Sequence, residues 1–365
     1  MQTDAAVTES KGAPFAIQTL EIGRLEPHEV LIDVAAAGVC HTDLIVRDQW
    51  YPVPLPAVLG HEGAGVIAAV GDAVTKVAVG DRVAMSFNSC GACPTCATGR
   101  PSYCHDFFAR NFGSSRPDGS TVLSRNGQSI HSHFFGQSSF ATRAVATDRN
   151  VTKLPADVPF EVVAPFGCGV QTGAGAILNV MHPPAGTSVA VFGTGTVGIA
   201  ALLAAQVAGC TTVIGVDVNA SRLEVARELG ATHVIDAAEA DPETAIKAIT
   251  GVGADFAIES TGVASVLRTA VDSTAPTGIT GVIGAPAFGT EVNLDVNNVL
   301  VFGRTVRGIV EGDSVPDVLI PRLIELWRQG RFPIDRIMKT YDFDQIDHAA
   351  HDAEHGQVIK AVLKM

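Results

Sequence analysis

The sequence predicts an α/β protein with two parts, one mostly β and one built on a doubly wound parallel sheet. Short β-prone runs punctuated by glycine fill residues 1–150, whereas apolar strands alternate with helical segments after about Val170. Such alternation is typical of a parallel sheet covered by helices. A chain of 365 residues, 47% of them hydrophobic, is long enough for about two domains with cores of their own.

A βαβ unit is predicted at residues 187–219, as a strand, a glycine turn, an alanine-rich helix and a second strand. The turn has the pattern G-x-G-x-x-G, which is a weak signal alone but here follows SVAVF and opens a helix, the context that it requires. Glycines let the backbone approach a pyrophosphate, and the helix N-terminus favours its charge. The pattern predicts a dinucleotide site at Gly193, Gly195, Thr196, Val197 and Gly198.

Asp217 ends the second strand of this unit, 19 residues after Gly198. A carboxylate there can bind both ribose hydroxyls and would repel a 2′-phosphate, so NAD is favoured over NADP. Arg222 follows five residues later, where it either supports the adenosine ribose or lies on a solvated helix face.

Elements outside this unit are predicted from their apolar patterns. Residues 28–39 alternate as a strand does, and the last part of the chain holds a helix near 320–329 and a closing strand near 358–364. The runs 277–286 and 296–303 are interpreted as late apolar strands. They would continue a sheet across a two-fold interface, so we expect a homodimer or homotetramer.

Composition excludes several classes of partner. A net charge of −13 argues against nucleic acid. No apolar leader and no uninterrupted membrane span are visible, so we expect a cytoplasmic protein that has no contact with membranes. In a reducing cytoplasm, the seven cysteines are metal ligands or buried thiols rather than disulfides.

Four cysteines form a compact C-x2-C-x2-C-x7-C cluster at Cys90, Cys93, Cys96 and Cys104. Four thiolates can surround one zinc ion tetrahedrally, and because they leave no open position such a site is structural. Unrelated thiols and an iron–sulfur cluster are the alternatives, although the x7 gap fits the latter poorly.

A second, split metal site is predicted from Cys40, His61 and Cys168, each of which lies in a glycine-containing segment. Two thiolates and one imidazole leave a fourth position for water or substrate, which is the design of a catalytic zinc site. Each residue alone has an ordinary alternative, because single cysteines and histidines are usually buried structural residues.

The blocks C-H-T-D at 40–43 and G-H-E-G-A-G at 60–65, with the four-cysteine cluster, resemble the zinc-containing medium-chain alcohol dehydrogenases in order and spacing through most of the chain. The resemblance implies a GroES-like catalytic domain at 1–169 and 304–365 and a Rossmann-type NAD-binding domain at 170–303. It also implies NAD and two zinc ions per subunit, one bound by Cys40, His61 and Cys168 and one by the four-cysteine cluster.

The same resemblance implies roles for residues around the catalytic zinc. Asp43 would orient His61, and Thr42 would accept the proton of the alcohol. Glu62 is either a transient zinc ligand or a buried acid held by a nearby arginine. His41 and Lys360 would contact the cofactor pyrophosphate. Many members have a histidine at the position of Ile45, so the usual route of the proton is in doubt here.

The substrate expected from the resemblance is an apolar alcohol. Trp50 and Tyr51 fall where the family lines its substrate channel, and Phe87, just before the four-cysteine cluster, is either a further pocket residue or a core residue. Segments 86–96, 105–145 and 303–316 most resemble aryl (benzyl) alcohol dehydrogenases. This implies reversible oxidation of a primary aryl or allylic alcohol to its aldehyde, through an alkoxide on zinc and hydride transfer to nicotinamide.

Several other functions are compatible with parts of this sequence. Terpenoid or aliphatic alcohols are alternative substrates, and a glutathione-dependent formaldehyde dehydrogenase shares the zinc framework but not the apolar Trp50–Tyr51 region. A non-enzymatic nucleotide-binding protein is disfavoured because all three ligands of the catalytic zinc are present.

Overall fold

Three β-sheets organise the computed structural model, which describes residues 1–365. The strands, in chain order, are β1 (Gln2–Thr8), β2 (Ala16–Ile22), β3 (Glu29–Val39), β4 (Ala57–Val58), β5 (Gly63–Val70), β6 (Arg82–Met85), β7 (Leu123–Arg125), β8 (Gln128–Ile130), β9 (Arg143–Thr147), β10 (Val151–Lys153), β11 (Ser188–Phe192), β12 (Thr212–Asp217), β13 (His233–Asp236), β14 (Ala254–Glu259), β15 (Thr274–Val282), β16 (Thr305–Gly308), β17 (Met338–Asp342) and β18 (Lys360–Lys364).

The α-helices are mostly short. They are α1 (His41–Arg47), α2 (Pro94–Ala97), α3 (Phe107–Phe112), α4 (Phe160–Val163), α5 (Gly169–Gly175), α6 (Thr196–Ala208), α7 (Ala220–Glu228), α8 (Pro242–Thr250), α9 (Ala264–Asp272), α10 (Val296–Phe302), α11 (Pro316–Arg328) and α12 (Ile346–Glu354). No helix is both long enough and apolar enough to cross a membrane.

The chain divides into two compact units. The first comprises 1–168, 315–324 and 338–365, and the second comprises 169–314 and 325–337. Three predicted parts of the first domain belong to the second unit, namely residue 169, residues 304–314 and residues 325–337. For 304–314 the reason is β16, which pairs in parallel with β15 and so extends the second unit.

The first unit is mostly β, as predicted. One sheet has the order β4-β1-β2-β7-β8, and the other has the order β10-β6-β5-β3-β18-β17, with β9 also paired to β3. Strand β3 is central because its first half pairs with β9 and its second half with β18. The carboxyl end of β3 therefore has a paired strand on each side, which fixes the position at which the chain leaves the sheet.

The second unit has a single six-stranded sheet in the order β13-β12-β11-β14-β15-β16, with every pair parallel. Chain order reverses between β11 and β14, and ligands of doubly wound sheets bind outside the carboxyl ends of the strands at such a reversal. The predicted fold class is confirmed for both units.

One predicted strand is wrong. Residues 296–302 form helix α10 instead of a strand, and Gly303 is its C-terminal cap. The Asp295 side chain accepts hydrogen bonds from the backbone N–H groups of Asn297 and Asn298, which caps the helix N-terminus. Apolar residues with no alternation do not by themselves distinguish a strand from a short helix. Here the Asp295 cap favours the helix.

A buried ion cluster fastens β3 in the first unit. Arg116 donates to both carboxylate oxygens of Glu29, at 2.7 Å each, and a ring nitrogen of His133 lies 3.1 Å from Oε1. Burial acts to raise the pKa of Glu29, but the hydrogen bonds from Arg116 and His133 outweigh it and lower that pKa from 4.5 to about 2.

We expect the variant Glu29→Gln to be less stable than the wild type by about 3 kcal/mol near neutral pH. Because the pKa is lowered on folding, the contribution of the carboxylate is fully present above pH 4.5 and is lost as the pH falls towards 2. Urea unfolding of both proteins at several pH values measures it. A stability gap that stays constant as the pH falls from 4.5 would contradict the assignment.

Candidate active site

Cys40 and Asp43 form the start of helix α1. Cys40 directly follows β3, and its backbone N–H donates to Asp43 Oδ2 at 2.9 Å. The other carboxylate oxygen of Asp43 accepts from Gly60 N at 3.1 Å and lies 2.8 Å from His61 Nδ1. One fully buried carboxylate thus fixes two segments that are distant in sequence.

The three predicted ligands of the catalytic zinc meet in the first unit. Cys168 follows a short 3-10 turn (Ala164–Gly167) whose Gly167 carbonyl accepts from Ser86 Oγ at 2.7 Å. The Sγ atoms of Cys40 and Cys168, a ring nitrogen of His61 and a carboxylate oxygen of Glu62 all lie within 4.8 Å of one another. The folded chain therefore brings together two thiols, one imidazole and one carboxylate.

The chemistry of these side chains fits a zinc ion. His61 Nδ1 faces Asp43, whereas the buried Nε2 has no hydrogen-bond partner within the protein. A buried ring nitrogen without a partner is costly unless an ion binds it. A hydrogen bond from Cys168, reinforced by His61, holds the pKa of the Cys40 thiol well below its usual range. Both features suit a site that binds a cation.

Glu62 is the fourth member of the group, and its partner is a lysine. Lys360 Nζ contacts Glu62 Oε2 and donates to the Val39 carbonyl at 3.0 Å, and both side chains are almost completely buried. Burial raises the pKa of Glu62 to about 7, against the opposing effect of Lys360. Glu62 is thus a buried acid with a lysine partner, and the pyrophosphate contact of Lys360 stays a prediction.

The remaining residues of C-H-T-D differ in exposure. Thr42 is half-buried with Oγ1 3.7 Å from Cys40 Sγ, whereas His41 is exposed at the first position of α1. Ile45 is buried on the same helix and carries no group that can move a proton. Thr42 is thus placed beside a zinc ligand, and the roles of Thr42 and His41 stay predictions.

The three predicted substrate-pocket residues have different surroundings. Trp50 is 58% exposed, and the half-buried Tyr51 packs edge-on against Phe112 with 5.8 Å between ring centroids. Phe87 is buried in the core of the first unit and packs near Phe107. Because their surroundings differ, the role of these three residues in the substrate pocket stays a prediction.

Two aromatic residues and one amide that sequence reasoning missed surround His61. The ring of Phe135 stacks on the imidazole at 4.5 Å, and Phe134 meets it edge-on at 5.5 Å. Gln137 Nε2 donates to the His61 carbonyl at 2.9 Å, and its Oε1 accepts from Gly63 N at 3.1 Å. Two adjacent phenylalanines in a polar, non-periodic segment were the only signal in the sequence.

The four-cysteine cluster closes on itself as predicted. The Sγ atoms of Cys90, Cys93, Cys96 and Cys104 all lie within 4.8 Å of one another. Cys90 Sγ and Cys96 Sγ are 3.9 Å apart, close to the separation of about 3.8 Å that tetrahedral Zn–S bonds of 2.3 Å require. Backbone N–H groups of Ala92 and Cys93 point at Cys90 Sγ, which suits a thiolate. The geometry fits a structural zinc.

The glycine turn of the second unit lies at the carboxyl end of β11. Gly193 has a left-handed φ of 88°, and a Cβ on Gly198 would strike the Gly193 carbonyl oxygen. Gly195 caps α6, with Thr196 and Val197 as its first residues. A cavity of about 440 Å³ opens beside the turn and includes Phe192, Asp217, Pro242 and Val266 in its walls. Its shape and place suit the adenosine half of a dinucleotide.

Asp217 is held by the glycine turn. Its Oδ2 accepts from Thr194 N at 2.7 Å and from Thr194 Oγ1 at 2.8 Å, and its Oδ1 accepts from Asn219 N at 2.9 Å. Arg222 is half-buried on α7, and its Nε has no hydrogen-bond partner. A carboxylate and a guanidinium thus lie near one end of β12, and their contacts with the cofactor stay predictions.

We expect Asp217→Ser to shift coenzyme preference from NAD towards NADP. Without the carboxylate, the 2′-phosphate of NADP is no longer repelled, and the ribose hydroxyls of NAD lose a hydrogen-bond partner. A change of about 1.4 kcal/mol in the binding free energy of either coenzyme corresponds to about tenfold in its affinity. The ratio of kcat/KM for the two coenzymes is the measurement, with Asp236→Ser at the end of the neighbouring strand as control. An unchanged ratio would contradict the role of Asp217.

Two metal groups in one unit and a glycine-turn nucleotide fold in the other define a zinc-dependent dehydrogenase. Residues 26–156 match the alcohol dehydrogenase GroES-like domain, and residues 196–326 match the zinc-binding dehydrogenase domain. A geraniol dehydrogenase of Castellaniella defragrans is 46% identical over 365 residues, which are 100% of this chain and 98% of that protein.

Solved structures agree. The benzyl alcohol dehydrogenase of Acinetobacter calcoaceticus is 48% identical with a TM-score of 0.97, and an alcohol dehydrogenase zinc-binding domain protein of Burkholderia ambifaria is 51% identical with a TM-score of 0.98. Each alignment covers 100% of this chain and 99% of the other. The chain belongs to the zinc-containing medium-chain alcohol dehydrogenase family. The zinc-binding dehydrogenase match and the two groups of metal-ligating side chains confirm zinc as a cofactor.

Proposed function

We propose that this chain oxidises a primary aryl or allylic alcohol to its aldehyde, reversibly, with NAD as the hydride acceptor. The observation that carries the proposal is the group of Cys40, His61 and Cys168, whose donor atoms converge in the first unit with the buried His61 Nε2 left for an ion. Cys40, His61 and Cys168 would hold the zinc ion, and three protein ligands are the design of a catalytic rather than a structural site.

Zinc bound there supplies a Lewis acid that makes an alcohol a stronger acid or polarises an aldehyde carbonyl. Side chains of this protein would orient the zinc ligand, exclude water and accept the proton. Asp43 holds the His61 ring, Phe134 and Phe135 exclude water from one side of it, and Thr42 Oγ1 takes the hydroxyl proton of the alcohol. Nicotinamide, when bound, would supply the hydride acceptor for the alcohol carbon. Since Ile45 carries no group that can move a proton, Thr42 would pass the proton to water.

The names of two relatives support the substrate class. One relative is a geraniol dehydrogenase and another is a benzyl alcohol dehydrogenase, at 46% and 48% identity. Geraniol is allylic and benzyl alcohol is benzylic, so in both the reacting carbon is bonded to an unsaturated carbon. Conjugation of the aldehyde product is their shared chemistry, and terpenoid alcohols fit it as well as aryl alcohols do.

A panel of alcohols tests this proposal. We expect kcat/KM with NAD to be highest for benzyl, cinnamyl and geranyl alcohols and at least about tenfold lower for hexanol and ethanol, a difference of about 1.4 kcal/mol. The ratio between benzyl alcohol and geraniol decides between aryl and terpenoid substrates. Equal rates with ethanol, or formaldehyde oxidation that requires glutathione, would contradict the aryl or allylic assignment.

We also propose that two copies associate through the last strand of the second unit. Strand β16 ends the six-stranded sheet with all four residues exposed. Beside it, α10 exposes Val296, Leu300 and Val301, each more than 70% exposed. A two-fold axis would pair β16 with its copy and cover these side chains. A protein that sediments as a monomer at micromolar concentration would contradict this.

A further inference from the structure

Helix α12 and its C-terminal cap residue carry three histidines and one aspartate along one stripe. They are His348, His351, Asp352 and His355, at positions i, i+3, i+4 and i+7. Residues with this spacing are neighbours along one stripe of a helix. The opposite face is apolar and is packed into the core of the first unit through Ile346, Ala349 and Ala350. The three histidines of the stripe are therefore exposed on a well-anchored helix, with Asp352 buried beside them.

Asp352 is the fixed point of this stripe. Its side chain is only 3% exposed, and its Oδ2 accepts from Tyr341 Oη at 2.6 Å and from Lys339 Nζ at 3.3 Å. The other oxygen, Oδ1, faces His348 Nε2 at 3.4 Å and His351 Nδ1 at 3.8 Å. Ligand atoms on a tetrahedral ion with bonds of 2.0–2.1 Å are about 3.3 Å apart. Each ring nitrogen is near that distance from Oδ1, and the exposed imidazoles must turn for all three atoms to meet one ion.

His355 completes the stripe one turn further on. Its Nδ1 lies 2.9 Å from the His351 carbonyl oxygen, and the two imidazole rings stack with centroids 4.1 Å apart. In the tautomer that donates this hydrogen bond, Nε2 keeps its lone pair for a ligand. Metal-binding histidines commonly donate their other ring nitrogen to a carbonyl in this way. Both rings are exposed and one helical turn apart, so rotation about their side-chain bonds can direct both towards one ion.

We propose that the stripe of His348, His351, Asp352 and His355 is a third metal site, exposed and exchangeable, for a divalent transition metal such as Zn²⁺ or Ni²⁺. Imidazole with one carboxylate suits these ions, whereas Mg²⁺ and Ca²⁺ prefer oxygen ligands alone. The ammonium of Lys339 beside Asp352 opposes a second cation, so this site is weaker than the two buried groups.

Titration of the untagged, zinc-loaded enzyme with Ni²⁺ tests the proposal. We expect one Ni²⁺ to bind per subunit, with the affinity falling at least about tenfold in His351→Asn/His355→Asn, or about 1.4 kcal/mol. The control His28→Asn/His233→Asn removes two exposed histidines elsewhere and is expected to bind as the wild type does.

Zinc is measured in the same samples. The proposal requires that Ni²⁺ binds without release of resident zinc and raises the melting temperature of the wild type but not of the α12 variant. Equal Ni²⁺ affinity in the α12 variant and the control, or zinc released in step with Ni²⁺ uptake, would overturn it. Both variants change only exposed side chains, so correct folding is checked by their unchanged alcohol oxidation.

Discussion

Cys168→Ala is expected to abolish alcohol oxidation and to remove about half of the bound zinc. Cys168 is a buried thiol in the group with Cys40 and His61, and two ligands do not hold a zinc ion in an open site as three do. Loss of the Lewis acid costs several kcal/mol of transition-state stabilisation, which lowers kcat by about 10³-fold or more. The four-cysteine cluster contains no part of this group and is expected to keep its zinc.

The matched control is Cys210→Ala. Cys210 is also a buried thiol, but it belongs to the second unit and contacts Thr187 rather than either metal group. We expect this variant to keep both zinc ions and nearly full activity. If Cys168→Ala retained all of its zinc, or lost the zinc of the four-cysteine cluster as well, two independent metal sites would not describe this protein.

Asp43→Asn is expected to weaken the catalytic zinc by about 10–100-fold. Asp43 accepts hydrogen bonds on both oxygens, from Cys40 N on one and from Gly60 N on the other, which also faces His61 Nδ1. An asparagine has the same shape but only one accepting oxygen. Its NH₂ group must therefore face a donor, either Cys40 N–H or the pair formed by Gly60 and His61.

Zinc dependence of activity measures this effect. In Asp43→Asn, we expect activity to be lost in low zinc and largely recovered in excess zinc, because the ligands themselves remain. Asp48→Asn changes a partly exposed aspartate just after the same helix, paired with Arg47, and is expected to show no zinc dependence. An Asp43→Asn enzyme that keeps full activity in the presence of a chelator would rule out this role for Asp43.

The glycine turn and the four-cysteine cluster were predictable from the sequence. A G-x-G-x-x-G turn between a strand and a helix has few other uses, and β11, the turn and α6 appear as predicted. Four cysteines within fifteen residues likewise need no knowledge of the fold, because nearby residues can reach one ion whatever surrounds them. Residues close together in sequence can therefore form a site that does not depend on the rest of the fold.

The long-range part was not predictable from spacing. Cys40, His61 and Cys168 meet only because β3 ends inside a sheet and Asp43 ties α1 to Gly60, and the sequence alone suggested them through family resemblance. The partner of Glu62 was missed for the same reason, because Lys360 reaches it only when β18 pairs with β3. Phe134 and Phe135 lie in a segment without periodicity, so their burial against His61 left no pattern.

The proposed reaction is the transfer of a hydride from an alcohol to NAD, with the alcohol at the Cys40, His61 and Cys168 site. The most direct measurement is the initial rate of NADH formation by the zinc-loaded protein with benzyl alcohol, compared with Cys168→Ala under the same conditions. The account predicts steady NADH formation with one aldehyde per NADH in the wild type and none above background in the variant. Equal rates in the two proteins, or no NADH from the wild type with benzyl alcohol or geraniol, would contradict it.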